Sequence, residues 1–308
     1  MRPINRRQLF QAGAALGVST ALAAIPAAVR ASDAQEPVSG IRLSDNADKP
    51  DTLLTIERLG AIVLFGLNRP AQHNSIDPAL HAALSRACYQ FEHDDSLRAA
   101  VLFGHGDHFC QGSDVAAFAA VIAAAQPVSA ATMDPWGKTG PRPGKAVVVA
   151  VHGNTWNLGH ELFLACDIRV AAADTRFAQT ENVHARMPAS GATIRFVREA
   201  GWGQAMRYLL TGDEWSAGEA QRMGTVQELA PDAASALQLA TSIAIKIAAC
   251  APLSIRSTLA SAQLAIDEGE KAAFARLAAQ RAKLYASDDF REAVDAEKHG
   301  RQPVYRGK

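Results

Sequence analysis

The chain has 308 residues, which is enough for one large domain or two modest ones. Hydrophobic residues make up 48%, so a sizeable core can be buried, and charged residues make up 20%, as in ordinary soluble proteins. The formal net charge is zero, so nothing indicates a nucleic-acid partner. The four cysteines form neither a C-x-x-C pair nor a cluster with zinc-ligand spacing. We interpret them as buried free thiols, and we find no motif for a metal or a nucleotide cofactor.

The first 31 residues differ in composition from the rest of the chain. They hold four arginines and no acidic residue, and Arg6-Arg7 precedes an alanine-rich apolar run that ends at Val29-Arg30-Ala31. A basic start, an apolar middle and a small-residue end are typical of a secretory signal, and the paired arginines resemble a twin-arginine signal. We therefore predict a signal peptide over 1–31 and a periplasmic protein without a stable membrane span. The alternatives are a disordered or amphipathic N-terminal arm, and a cytoplasmic protein if the leader is not used.

Predicted strands and helices alternate through the middle of the chain. Residues 32–51 are polar and contain Pro37, Gly40 and Pro50, so they are interpreted as a linker. Asp77-Pro78 is a helix start, with a capping acid before a proline at the first helical position. The predicted strands are Thr52 to Ile56, Ala61 to Leu67, Ala99 to Phe103, Ala146 to Val151 and Ile168 to Ala172. This alternation favours an α/β core over 52–250.

The last part of the chain shows helical patterns only. The predicted helices are Ala236 to Ala249, Pro252 to Ile266, Glu270 to Ala286 and Phe290 to Glu297. We therefore predict a helical C-terminal subdomain, with residues 251–308 as its main part.

Glycine-containing turns follow two of the predicted strands. Phe109 to Asp114 comes after the strand at 99–103, and Asn157-Leu158-Gly159 comes after the strand at 146–151. An apolar helical run with Glu161 in its first turn opens directly after the second of these turns. A helix N-terminus offers free N–H donors and a positive dipole end, which suit a developing oxyanion. Such turns are also common in α/β proteins without any catalytic role.

Several ordered segments resemble the crotonase superfamily, also called the enoyl-CoA hydratase/isomerase family. The resemblance covers about 52–307 and includes the tail. Its segments are Leu67-Asn68-Arg69-Pro70 with Asn74, Val101 to Asp114, Ala150 to Ile168, Phe177 to Pro188, and Leu209-Leu210-Thr211-Gly212 with the positions that follow. The resemblance implies a crotonase-like spiral of ββα units. It also implies a homotrimer, or a dimer of trimers, built through the helices of 251–308.

The resemblance also assigns roles to residues of the candidate site. The backbone N–H groups of Ser113 and Leu158 would form an oxyanion hole, while Glu161 and Glu181 would be the two catalytic glutamates of a hydratase. The substrate pocket would include Trp156, Gly112, Gly159 and His160.

Each of these residues also has a simpler interpretation. Glu161 could be a solvent-facing helix residue, and Glu181 could be a helix cap or a salt-bridge partner. The hydroxyl of Ser113 is an improbable nucleophile, because the segment lacks the G-x-S-x-G elbow.

The implied function is addition of water to, or its removal from, an α,β-unsaturated thioester. The resemblance implies that no cofactor is required, because coenzyme A enters as part of an acyl-CoA substrate. The alternatives are double-bond isomerisation, C–C bond hydrolysis on a substrate without CoA, and a catalytically silent binding protein. Two features that differ from the family pattern keep these alternatives open. One is the export signal, and the other is Val115-Ala116-Ala117, where the family often has a lysine that contacts the CoA phosphates. Lys138, Arg142 and Lys145 are the candidate replacements for that lysine.

Overall fold

The computed structural model describes residues 52–123 and 131–308. The predicted signal peptide over 1–31 and the predicted linker over 32–51 lie outside these residues. The strands are β1 Leu54–Leu59, β2 Ile62–Leu67, β3 Ala99–Gly104, β4 Ala146–Val151, β5 Asn154–Trp156, β6 Ile168–Ala172, β7 Arg176–Ala178, β8 Trp215–Ser216 and β9 Glu228–Ala230. The helices are α1 Pro78–His93, α2 Val115–Ala123, α3 Leu158–Ala165, α4 Ala192–Ala200, α5 Trp202–Thr211, α6 Ala217–Arg222, α7 Ala233–Ala248, α8 Pro252–Glu268, α9 Glu270–Tyr285 and α10 Asp288–His299.

The strands of the described residues form two sheets. The larger sheet has the order β1-β2-β3-β4-β6-β9, in which β1 and β2 form an antiparallel hairpin and the other neighbours are parallel. The smaller sheet has the order β5-β7-β8. Two successive units, β4–β5 followed by α3 and β6–β7 followed by α4, place their first strand in the large sheet and their second strand in the small one. The predicted spiral of ββα units with a helical C-terminal subdomain is therefore confirmed.

The large sheet separates two apolar cores. Along β4, Val149 and Val151 face one core while Val148 and Ala150 face the other, because successive side chains of a strand point to opposite faces. The first core also contains residues of α1, α3, α4 and α5, and α7 covers the opposite face. Burial on both faces explains why β4 is a continuous apolar run.

Local sequence signals explain several element boundaries. Asp77 caps α1, since its carboxylate accepts a hydrogen bond from the Leu80 N–H at 2.7 Å, and Pro78 occupies the first helical position. The last four helices agree with the helices predicted at the C-terminal end. Among the described residues, no single helix is long and apolar enough to cross a membrane. The prediction that the cysteines are buried is wrong for Cys250, which is exposed, while Cys88 is half-buried.

Candidate active site

The first candidate oxyanion donor lies in a turn held against the residues before α1. The backbone of Ile76 bridges this turn, because its N–H donates to the Gly112 carbonyl at 2.8 Å and its carbonyl accepts from the Asp114 N–H at 2.8 Å. The N–H of Ser113, between these two bonds, has no acceptor among the described residues. It is therefore free to donate to another group.

The second candidate donor opens α3. The residue before it, Asn157, has φ 52° and ψ −123°, a backbone conformation that residues other than glycine rarely adopt. Its side chain fixes this conformation, since Oδ1 accepts from the backbone N–H of Thr180 at 2.7 Å and from the hydroxyl of that residue at 3.1 Å. As the first residue of the helix, Leu158 has no intrahelical acceptor for its N–H, and none is found among the described residues.

The two turns pack tightly against each other. A Cβ built on Gly112 would lie 3.1 Å from the Asn157 Cβ, and one built on Gly159 would lie 2.5 Å from the Cys110 carbonyl oxygen. The backbone N–H of Trp156 also donates to that carbonyl at 2.9 Å. Glycine at position 159 therefore lets α3 begin directly beside the first turn.

Glu161 is buried rather than solvent-facing, with 2% of its surface exposed. Its Oε1 accepts hydrogen bonds from the backbone N–H groups of Ser190 at 2.6 Å and Ala192 at 3.1 Å, at the start of α4. Burial raises the pKa of this carboxyl above its usual value, whereas these hydrogen bonds and the nearby charge of Lys138 lower it. The carboxylate is thus held in one orientation at a helix N-terminus.

Glu181 is the first residue of a short 3₁₀ helix, Glu181–His184, which follows β7. Burial raises the pKa of Glu181 to about 7, and the negative charge of Glu161 adds to this rise. Its Oε2 is buried and has no hydrogen-bond partner among the described residues. The structure therefore brings two carboxyl groups close enough to repel each other, and the second one can change protonation near neutral pH.

Two residues expected at the substrate pocket have different surroundings. Trp156 is half-buried, and its indole Nε1 is a buried donor without a partner in the described part of the chain. His160 is fully buried in an aromatic cluster with Phe163, Phe177, Phe196 and Trp215. Burial lowers the pKa of His160 to about 3, so its ring is neutral and packs in the core.

Other residues complete the surroundings of the site and were not predicted from the sequence. The turn Ser190-Gly191-Ala192 holds Glu161, and the Trp136 indole N–H donates to the Leu158 carbonyl at 3.1 Å. Pro188 and Gly191 indicate a turn in the sequence, but they do not show that this turn binds Glu161.

Lys145 is not available as a CoA-phosphate contact. Its ammonium is buried and donates to the carbonyls of Phe91 and Asp94, both at 2.7 Å, near the C-terminal end of α1. Lys138 and Arg142 are exposed.

Comparisons with known proteins agree with the fold. Residues 57–308 match the sequence model of the enoyl-CoA hydratase/isomerase family. A probable enoyl-CoA hydratase/isomerase from Mycobacterium abscessus superposes with a TM-score of 0.81 at 41% identity, covering 83% of this chain and 99% of that one.

Curated relatives are similar over most of their length. An enoyl-CoA hydratase of Mycobacterium tuberculosis is 30% identical over 84% of this chain and 97% of its own. The (E)-benzylidenesuccinyl-CoA hydratase of Thauera aromatica is 32% identical over 82% of this chain and 99% of its own. The class is thus that of crotonase-fold enzymes with hydratase-like function. The chain belongs to the enoyl-CoA hydratase/isomerase family.

Proposed function

We propose that this enzyme adds water to, or removes it from, an α,β-unsaturated acyl-CoA, with Glu161 and Glu181 as its catalytic residues. The observation that carries the proposal is a pair of interacting carboxyl groups, one buried and one half-buried, in unlike environments. Two backbone N–H groups hold Glu161, whereas the pKa of Glu181 lies at about 7 and one of its oxygens has no partner in the described part of the chain. Pairs of carboxyl groups with different protonation preferences are suited to acid and base roles.

In this mechanism the thioester carbonyl accepts hydrogen bonds from the N–H groups of Ser113 and Leu158. Negative charge builds on that oxygen as water adds to the β-carbon. Each donor aimed at the oxygen lowers the barrier by about 3–4 kcal/mol, the scale found for such sites. The free N–H groups at both positions and the tight packing of the two turns support this assignment.

The two glutamates then divide the proton transfers between them. Glu161 holds the water and accepts its proton as the water attacks the β-carbon. Glu181 delivers a proton to the α-carbon in hydration and removes it in dehydration. The reaction requires no cofactor, because CoA enters and leaves as part of the substrate. The CoA-thioester hydratases among the relatives support this substrate class.

The test is hydration of crotonyl-CoA and longer enoyl-CoAs, followed by loss of the conjugated thioester absorbance. Glu161→Gln and Glu181→Gln keep the side-chain shape and remove one proton-transfer partner each. Each variant is expected to lose about 10²- to 10⁴-fold in turnover. The double variant should lose much less than the product of the two, because residues that act as a unit are not additive.

The control for this test is Glu219→Gln, which changes a half-buried glutamate paired with Arg222 and outside the proposed site. Full activity in both active-site variants would show that the site is wrong. Loss in only one of them would favour the isomerase alternative, where a single acid/base can suffice.

A further inference from the structure

A cavity of about 530 Å³ lies between α1, α3, α8 and the segment 135–144. Its size is that of a typical small-molecule site. Neither the two glutamates nor the two proposed oxyanion donors line it. Its apolar wall contains Phe65, Phe91, Leu102, Trp136, Leu162 and Leu264.

One buried arginine forms part of the cavity wall. Arg195 on α4 is 5% exposed, and its guanidinium donates to the carbonyls of Trp136 at 2.6 Å and Ser190 at 3.3 Å. A Cβ on Gly191 would lie 2.2 Å from Arg195 Nη1, and a Cβ on Gly137 would lie 3.5 Å from Nη2. The two glycines thus leave room for this guanidinium at the cavity.

The charge of Arg195 is not neutralised by an ion pair. Among the described residues no carboxylate lies within salt-bridge distance of it, and the same is true of Arg142, which also lines the cavity. Burial, followed by the positive charges of Arg142 and Arg198, lowers the pKa of Arg195. A buried cation beside a second cation is unfavourable unless an anion compensates it.

The nearby acidic groups accept hydrogen bonds from neutral donors, and, while burial raises the pKa of Asp167, the charge of Arg142 acts to lower it. Asp134, whose charge favours the ionised form of Arg195, accepts backbone N–H groups of its own turn. Asp167 and Asp267 line the cavity, but they accept from the Val147 N–H and from the Gln263 amide. A third arginine at the wall, Arg256, is already paired with Glu92. Arg142 is exposed and donates to the amide oxygen of Gln263 at 2.6 Å, so Arg142 and Arg195 are the two arginines of the wall that no carboxylate of the described residues pairs with.

The same arginine is connected to the proposed catalytic centre by one short turn. The guanidinium of Arg195 donates to the carbonyl of Ser190. The backbone N–H of Ser190 donates in turn to the Glu161 carboxylate at 2.6 Å. On the other side of the cavity, Trp136 binds the carbonyl of Leu158 through its indole N–H. Leu162, one residue after Glu161, lines the cavity itself. The cavity therefore borders helix α3 and the residues that bind the Ser190 and Leu158 carbonyls.

We propose that this cavity binds the distal end of the acyl group of the substrate, and that this end is a carboxylate held by Arg195 and Arg142. The proposal rests on the proposed function and specifies its substrate class as enoyl thioesters with a terminal carboxylate. The apolar wall takes the chain, and the two guanidinium groups take the charge that an apolar cavity alone would exclude. Arginine suits this role because its planar donors match a carboxylate.

The test compares enoyl-CoAs of equal chain length that end either in a methyl group or in a carboxylate, over six to ten carbons. The expected kcat/KM is about tenfold to 100-fold higher for the carboxylate-ended member at the best length, the scale of hydrogen bonds to charged groups. Arg142→Gln and Arg195→Gln should each reduce this preference, while Arg195→Lys should retain part of it. Arg198→Gln is the matched control, because Arg198 lies on the same helix and does not line the cavity.

A binding measurement separates this inference from the proposed reaction. Calorimetry with saturated acyl-CoAs of both kinds requires no turnover, and tighter binding of the carboxylate-ended one, lost in Arg142→Gln, supports the cavity assignment even without hydration. Equal binding of the two kinds in the unchanged protein would overturn it, even if both enoyl-CoAs are hydrated. Binding of a free dicarboxylate that does not compete with acyl-CoA would also overturn it, because the cavity would then be a separate site.

Discussion

Replacing Glu181 by glutamine should stabilise the folded enzyme at alkaline pH. The pKa of this carboxyl is raised from 4.5 to about 7, so the fold favours its protonated form. This contribution to stability is fully present below pH 4.5 and is lost as the pH rises through about 7. Glutamine carries no charge at any pH, so the variant keeps this contribution to stability as the pH rises.

The magnitude follows from the same rise in pKa. For a fully buried group, a rise from 4.5 to about 7 corresponds to about 3 kcal/mol. Because Glu181 is only partly buried, solvent screening reduces the expected gain to about 1–2 kcal/mol at pH 8. Most of the difference between the variant and the unchanged enzyme should appear between pH 5 and pH 8.

Urea unfolding followed by circular dichroism at both pH values measures this difference as a shift in the free energy of unfolding. Glu219→Gln is the control, since the hydrogen bond from Arg222 lowers the pKa of Glu219 and no gain in stability at pH 8 is expected there. A Glu181→Gln variant that gains no stability on going from pH 5 to pH 8 would refute the reasoning. The same ionisation gives the sign for catalysis. Hydration and dehydration both use the glutamate pair carrying one proton, so kcat/KM in both directions should fall as the pH rises above about 7.

Three further predictions concern the turn at α3, the leader and the assembly. In Gly159→Ala, the new Cβ would meet the Cys110 carbonyl at 2.5 Å, so we expect a loss of about 1–3 kcal/mol in thermal unfolding together with a large loss of kcat. We propose export through the twin-arginine route; N-terminal sequencing of the native protein should give a start after Ala31, and a cytoplasmic protein starting at Met1 would contradict this. We also propose a homotrimer; sedimentation at micromolar concentration should give three times the chain mass, and a monomer would contradict this.

The regular elements of the core could be predicted from the sequence because their signals are local. The run at Ala146–Val151 is continuously apolar and the run at Ile168–Ala172 is apolar except for Arg169, and the structure gives both strands with the predicted bounds. Helix α2 was not predicted, and neither were α4, α5, α6 or the strands of the small sheet. Three-residue strands such as Asn154–Trp156 form through pairing with distant strands, which leaves no periodicity in the sequence.

The site was predictable in part for a similar reason. The motifs indicated Glu161 and Glu181, and in the structure Glu161 is buried, Glu181 is half-buried, and the charge of the first raises the pKa of the second. It could not be predicted that the turn at Ser190 holds Glu161, because the two positions are 29 residues apart and backbone donors carry no residue signature. His160 was expected at the substrate pocket because it flanks the proposed donor turn, whereas its ring is fully buried and packs in the aromatic core.

The most direct test of hydration is to identify the product formed in deuterated water. Incubation of the purified enzyme with an enoyl-CoA in D₂O, followed by NMR and mass spectrometry, reports where oxygen and deuterium are added. The account predicts a 3-hydroxyacyl-CoA with one deuterium at the α-carbon, delivered through Glu181, and no such product from Glu181→Gln at comparable rate. A product with a shifted double bond and no added oxygen, or an enoyl-CoA left unchanged in every substrate series, would contradict it.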